Sequence, residues 1–388
     1  MDPVRNPYSP GAGTPPPALV GRDRQLEAFD VAVQRLSLGR SAKSQLLTGL
    51  RGVGKTVLLR EFGRIAQNHD WVWEQTEATP STPFVEVAAN LVRKALLRLS
   101  AGRRIGALIS RAFGVLRSFR IRWALPGDVA IEWEPVPGSA DSGDLESDLA
   151  GLFIELGTAA AAEQRGVLLT IDEVQYLAEA DLAALIVALH RVGQEQLPLM
   201  VAGAGLPSLP GLAGEAKSYA ERLFDFPEIG SLEPPDAALA LRQPAEREGV
   251  AWQQEALDRV IDLSEGYPYF LQEFGKQTWD VAEGPDEITV ADVDAAVPIA
   301  IAELDTGFFR ARLDRVSESE RAYLRAMASL GAGPYTSGRV AAVLGKVTTQ
   351  LGPVRESLIK RGICYSPRWG QIAFTVPMFD RYVRRALG

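Results

Sequence analysis

Gly49-Leu50-Arg51-Gly52-Val53-Gly54-Lys55-Thr56 fits the spacing G-x-x-x-x-G-K-[ST]. It lies between the apolar run Gln45-Leu46-Leu47-Thr48 and a segment of helical period, Val57-Leu58-Leu59-Arg60-Glu61-Phe62. A strand, such a loop and a helix in that order can cradle phosphates. The glycines permit positive φ and close approach, so that successive N–H groups point at one anion. The N-terminus of the helix adds positive potential. The reading assigns nucleotide contacts to Gly49, Gly52, Val53, Gly54, Lys55 and Thr56, with Lys55 on the β/γ-phosphates and Thr56 on Mg2+.

A triphosphate site of this kind needs an acid at the end of a second buried strand. Val167-Leu168-Leu169-Thr170-Ile171-Asp172-Glu173 supplies two. Asp172 is the candidate Mg2+ ligand, direct or through water, and Glu173 the candidate general base or orienter for an attacking water. The expected cofactors are therefore ATP or ADP and Mg2+.

These residues need a scaffold. Trp71-Val72-Trp73 and Leu197-Pro198-Leu199-Met200-Val201-Ala202-Gly203 read as further strands, separated by helical patterns over 84–99, 144–162 and 181–191. Strands alternating with helices imply an α/β fold with a parallel sheet covered by helices on both faces. The expected organisation is a mobile Pro- and Gly-rich tail at 1–17, a P-loop ATPase core at 18–231, a helical lid at 232–316 and a C-terminal module at 317–388. Arg98 to Arg122 is a basic amphipathic stretch, which fits an insertion packed on the core or a surface for membrane or nucleic acid.

The module at 317–388 reads as three helices, over 319–330, 337–344 and 348–361, followed by a hairpin whose strands flank Arg368-Trp369-Gly370. That is the layout of a winged helix-turn-helix, whose third helix can enter the major groove of double-stranded DNA. Thr349, Gln350, Arg355, Lys360 and Arg368 are the candidate DNA contacts. Net charge points the same way. The chain carries −8 overall, but residues 317–388 hold eleven Lys/Arg against four Asp/Glu, a local +7 that leaves −15 for the rest.

Composition narrows the class further. One cysteine, Cys364, allows no internal disulfide, and two histidines, His69 and His190, supply no metal-ligand cluster. No apolar run reaches the roughly 18 residues of a membrane span, and Met1-Asp2-Pro3 does not open a signal peptide. The expected location is the cytoplasm.

With these parts in order, the chain from about residue 18 onward resembles the AAA+ ATPases of the origin-recognition type and their relatives near the STAND switch ATPases. Leu19-Val20-Gly21-Arg22-Asp23 is similar to the motif on the adenine side of that family, which implies nucleotide contacts for Val20 and Arg22, although Gln25 stands where a second acid is common. Ser218-Tyr219-Ala220-Glu221-Arg222-Leu223-Phe224 resembles the segment that carries an arginine finger. Arg222 is then a catalytic candidate acting on a neighbouring subunit, with a lid-face ion pair as the other reading. Gly266-Tyr267-Pro268 resembles the GxP element of STAND lids, placing Pro268 near adenine, or else it is a plain helix-ending turn. Two departures, Gly203-Ala204-Gly205 in place of a polar sensor and Gly-Tyr-Pro in place of a lid sensor arginine, imply slow hydrolysis. The resemblance implies an ATP-dependent switch coupled to DNA through the winged helix. Its alternative is a signalling or defence switch whose winged helix contacts protein only.

Overall fold

The computed structural model describes residues 1–11, 13–101, 106–125 and 134–388. Five strands form a parallel sheet: β1 (Ser44–Thr48), β2 (Val72–Glu77), β3 (Val167–Asp172), β4 (Leu199–Gly205) and β5 (Phe224–Asp225), in the order β2-β3-β4-β1-β5. β1 and β4 are buried along their whole length, which is why they read as continuous apolar runs and not as alternating ones. Their pleat sends successive side chains to opposite faces. Leu47, Leu168 and Met200 enter one core, whereas Leu46, Val167, Leu169 and Val201 enter the other.

Helices α1 (Asp23–Ser37) and α2 (Lys55–Asn68) cover the first face, where Phe29 of α1 stacks on Phe62 of α2 with ring centroids 4.0 Å apart. The second face is covered by α3 (Phe84–Ser100), α4 (Ala107–Arg122), α5 (Leu145–Ala162), α6 (Glu179–Gln194), α7 (Leu209–Ala216) and α8 (Ala220–Leu223). The basic stretch resolves largely into α4. Its Ile109, Phe113, Leu116 and Phe119 are buried in that second core, Arg111 pairs with Glu155 at 3.0 Å, and Arg120 is itself buried. This apolar face is consumed by packing, as the insertion reading expects. Arg103, Arg104 and Ile105 of the same stretch lie outside the described residues.

Beyond the sheet come α9 (Pro234–Arg247), α10 (Gln254–Ser264), α11 (Pro268–Val281) and α12 (Val290–Glu303), with the short parallel pair β6 (Ala251–Trp252) and β7 (Glu287–Ile288). A π-helical turn, Leu304–Phe309, then leads into α13 (Arg310–Leu313). The C-terminal part holds α14 (Glu318–Ser329), β8 (Tyr335–Thr336), α15 (Ser337–Val343), α16 (Thr348–Lys360), β9 (Cys364–Tyr365), β10 (Gln371–Phe374) and α17 (Phe379–Leu387). The strands pair antiparallel in the order β8-β10-β9, so the expected hairpin gains a third strand that two residues were too short to announce. Leu47, Leu241, Phe270, Phe309 and Phe379 belong to a single apolar cluster, so one core runs from under the sheet through α9 and α11 to the C-terminal helix α17.

Residues 1–11 differ from the mobile tail expected at 1–17. Tyr8 is buried, its hydroxyl donates to Leu241 O at 2.5 Å and accepts from Trp252 Nε1 at 2.8 Å, and Asn6 bonds Lys276 O and Asp280. The segment has no apolar period because it forms no long element of its own. One aromatic side chain and scattered backbone contacts fix it to α9 and α11. No helix among the described residues is long and apolar enough to cross a membrane.

Candidate functional site

A cleft of about 370 Å³ opens at the C-terminal edge of the sheet, where parallel α/β folds bind ligands. The loop between β1 and α2 forms its floor. Gly52 and Gly54 hold φ of +88° and +94°, a region that L side chains rarely adopt, and a Cβ on Gly52 would meet the Tyr267 ring at 3.1 Å. Lys55 lies at the N-terminus of α2, buried, with Nζ donating to Gly49 O at 3.0 Å and Leu50 O at 2.7 Å.

Asp172 ends β3 and Thr56 lies in the first turn of α2, yet they meet: Thr56 Oγ1 donates to Asp172 Oδ2 at 2.5 Å. A hydroxyl and a carboxylate side by side, beside backbone amides that can take phosphate, are the hard oxygen donors Mg2+ requires, so these residues fit the ion. Burial is the main influence on the Asp172 carboxyl and raises it above the ordinary carboxylate range, against the hydrogen bond from Thr56.

Glu173 follows in the left-handed region at φ 54°, uncommon for a residue with a side chain, and this turns its carboxylate toward the loop. It lies 3.5 Å from the Arg51 guanidinium, and the Gln175 amide donates to it. Gln175 Oε1 in turn accepts from Leu206 N at 3.1 Å. A Cβ on Gly205 would come within 2.8 Å of that oxygen, so the glycine at the end of β4, noted above as a departure from the polar sensor of the resemblance, makes room for Gln175. Gln175 thus puts an amide donor beside Glu173 from a neighbouring element.

Ala18 to Val20, Leu232, Ala240, Pro268, Leu271 and Gln272 line the apolar end of the cleft. Val20 and Pro268, the two residues that the resemblance assigns to the base, both line this cleft. Arg22 also lines it, but its guanidinium is committed to Val53 O at 3.2 Å and Gly230 O at 2.7 Å, bracing the loop against the chain that follows β5. Pro268 is the first residue of α11, so Gly266-Tyr267-Pro268 both turns the chain and faces the cleft. Arg222 lies elsewhere. It is exposed on α8, just before Phe224, which pairs with Ser44 at the N-terminal end of β1, and it does not line this cleft.

Residues 9–11, 13, 14 and 16 form a further wall, with Arg60 donating to Gly13 O at 2.5 Å. Neither this wall nor Arg312 was visible in the sequence, because packing and not a spacing brings each in, while Arg51 and Gln175 lie within or beside the two motifs at positions to which no spacing assigns a role.

The C-terminal candidates separate. Thr349 and Gln350 are exposed on the first turn of α16, Arg368 is exposed beside the fully exposed Trp369, and exposed Lys360 pairs with Glu356 at 2.9 Å. Arg355 is a correction. Its half-buried guanidinium donates to Ser366 Oγ and Gln371 O, both at 2.9 Å, clamping α16 to the hairpin instead of facing outward. The local +7 is also partly spent on the preceding chain, in the pairs Arg381–Glu265 and Arg385–Asp305, while Arg361–Glu320 and Arg384–Asp380 pair within the module.

Burial pulls the Lys55 ammonium down from 10.5 to about 8, against the opposing pull of Glu173 and Asp172. Its proton leaves as pH rises through that value, and a bound phosphate has to restore it. Nucleotide affinity is therefore expected to be level below pH 8 and to fall above it, by at most about tenfold per pH unit, with proton uptake on binding. Between about 8 and 10.5 the unfolded chain holds this proton more tightly, so this group makes fold stability rise with pH there. Calorimetry at pH 7 and pH 9.5 in buffers of different ionisation enthalpy checks this, and a flat profile without proton uptake contradicts it.

Comparisons with known proteins agree with this frame. Residues 18–202 match the family described as AAA ATPase domain, and residues 306–383 match a domain of unknown function, DUF8462. No curated protein matches the chain. Among solved structures, the Walker-type ATPase PABY2304 of Pyrococcus abyssi is 17% identical with a TM-score of 0.57, over 94% of this chain and 96% of that one. The Thermotoga maritima RuvB Holliday junction branch migration motor is 16% identical, with a TM-score of 0.48 over 94% and 95% of the two chains. The Aeropyrum pernix ORC1 protein in complex with DNA is 14% identical, with a TM-score of 0.48 over 95% and 94%. At 17% identity the likeness to PABY2304 is one of fold alone. Residues 18–202 are thus similar to the AAA ATPase domain family, and the parallel sheet with its glycine-rich loop has the architecture of a P-loop fold.

Proposed function

We propose that the chain is an ATP-driven switch of the AAA+ type that binds MgATP in the cleft, hydrolyses it slowly and passes its nucleotide state to the C-terminal module. Gly49 to Gly54 and Lys55 hold the phosphates, Thr56 and Asp172 hold Mg2+, and Val20 and Pro268 border the base. Mg2+ supplies charge neutralisation on the phosphates, while Glu173 orients the attacking water and takes its proton. Arg222 acts on the cleft of a neighbouring subunit. The proposed divisions are an ATPase core at 18–231, a lid at 232–316 and a winged helix-turn-helix at 317–388, in a cytoplasmic protein.

One observation carries the coupling: the Arg51 amide, inside the phosphate loop, donates to Thr375 O of the C-terminal part at 3.3 Å. Any rearrangement of the loop around phosphate is felt there directly. The three helices and the hairpin support the winged-helix reading, and exposed Arg325, Arg339, Lys346 and Arg368, in no ion pair among the described residues, support a polyanion contact. A second reading, in which this module contacts only protein, is favoured by the same Arg51–Thr375 bond, which locks the module on the core, and by the exposed apolar Val343, Val347 and Trp369.

Phosphate release measured with and without duplex DNA tests the proposal. Turnover that changes with DNA, together with affinity that falls steeply between about 50 and 200 mM salt, is expected, because Lys/Arg contacts release counterions. No duplex binding at low salt contradicts the DNA arm and leaves protein contact as the reading.

A further inference from the structure

Arg312 lines the cleft from outside the sheet and the helices that cover it. It lines the cleft together with Phe308, is only partly exposed, and rests its guanidinium over the Phe308 ring, with Cζ 4.0 Å from the ring centroid. Phe308 stacks in turn on Tyr269, with centroids 4.5 Å apart and planes 24° from parallel. The guanidinium donates to Phe308 O and makes no ion pair with a carboxylate among the described residues. The strongest charge acting on it is another cation, Arg51, whose own guanidinium lies against Glu173. Two arginines facing one cleft, one of them lacking an acidic partner, form an arrangement that an anion between them would stabilise. The anion they fit sits at the Glu173 end, where the last phosphate of a nucleotide on Lys55 would lie, and not at the apolar end.

The segment that presents Arg312 is unusual. Leu304–Phe309 is a π-helical turn, a form concentrated at functional sites. It is also fastened to the last helix: Phe309 stacks on Tyr382 at 5.3 Å, and Asp305 pairs with Arg385. The DUF8462 match at 306–383 takes in Phe308 and Arg312 along with those helices.

We infer that Arg312 is a further nucleotide-binding residue, contacting the terminal phosphate from α13 just after the π-turn, so that the end of the lid, fastened to the last helix, distinguishes a nucleoside triphosphate from a diphosphate. The inference rests on the nucleotide reading above. Loss of the contact removes affinity for the triphosphate alone, because a diphosphate ends short of it.

The test is calorimetric titration of the full chain with Mg2+ and either ATPγS or ADP, for the parent, Arg312→Gln and Arg312→Lys, with circular dichroism melts as the check on folding. Arg312→Gln is expected to weaken ATPγS binding by about 10- to 100-fold, the range for one charge-assisted contact, and to leave ADP binding unchanged. Arg312→Lys keeps the charge without the planar fork and should recover part of the discrimination. Should Arg312→Gln fail to fold, a reduced ATPγS-to-ADP preference in Arg312→Lys still supports the inference, and an unchanged preference overturns it. Equal losses for both nucleotides, or none, in a folded Arg312→Gln overturn it while the site stands. A parent that binds neither nucleotide sinks the nucleotide reading itself, and this inference with it.

Discussion

Replacing Glu173 with Gln is expected to lower ATP turnover by about 10²- to 10⁴-fold, the range for removing a positioned general base, while MgATP binding persists. The substitution is close to isosteric, and the carbonyl oxygen of the introduced amide can still accept the bond that Gln175 donates to Glu173, so geometry is conserved while basicity is lost. The φ of 54° at this position and the Arg51 contact at 3.5 Å argue that the carboxylate is held for use and is not merely a solvated strand end. Phosphate release under saturating MgATP measures the effect. A variant that turns over like the parent assigns the water to another group, and a parent without turnover leaves a nucleotide-holding scaffold.

Lys55→Ala carries the second large effect. The ammonium is buried against the carbonyls of Gly49 and Leu50, and without it the phosphates keep only neutral amides and more distant arginines. A fall in MgATP affinity of about 100-fold or more is expected from the charge-assisted contacts removed. The fold should survive, since Lys55 donates only to two carbonyls of its own loop.

Much of this site could be read from sequence because its pieces are local. The phosphate loop and the run ending at Asp172-Glu173 are each fixed by consecutive residues, and the buried strands before them declared themselves as unbroken apolar runs. What sequence reasoning lost depends on distant chain. Tyr8 looks like part of a loose Pro-rich lead until Trp252 and Leu241 are placed around its hydroxyl. Arg355 has the spacing of an outward residue on α16, but the hairpin folds back and captures it. Arg312 stands more than 250 residues after the loop whose charge it meets, and no period or motif links them. Gln175 replaces a polar residue that a strand-by-strand reading sought two elements away, at the end of β4.

The central claim is that the loop before α2 holds a triphosphate through Lys55. Calorimetric titration of MgATP into the parent chain and into Lys55→Ala, with matched circular dichroism spectra, tests it most directly. Saturable binding by the parent and no measurable heat from the variant is the predicted result; equal affinity in the two would contradict it.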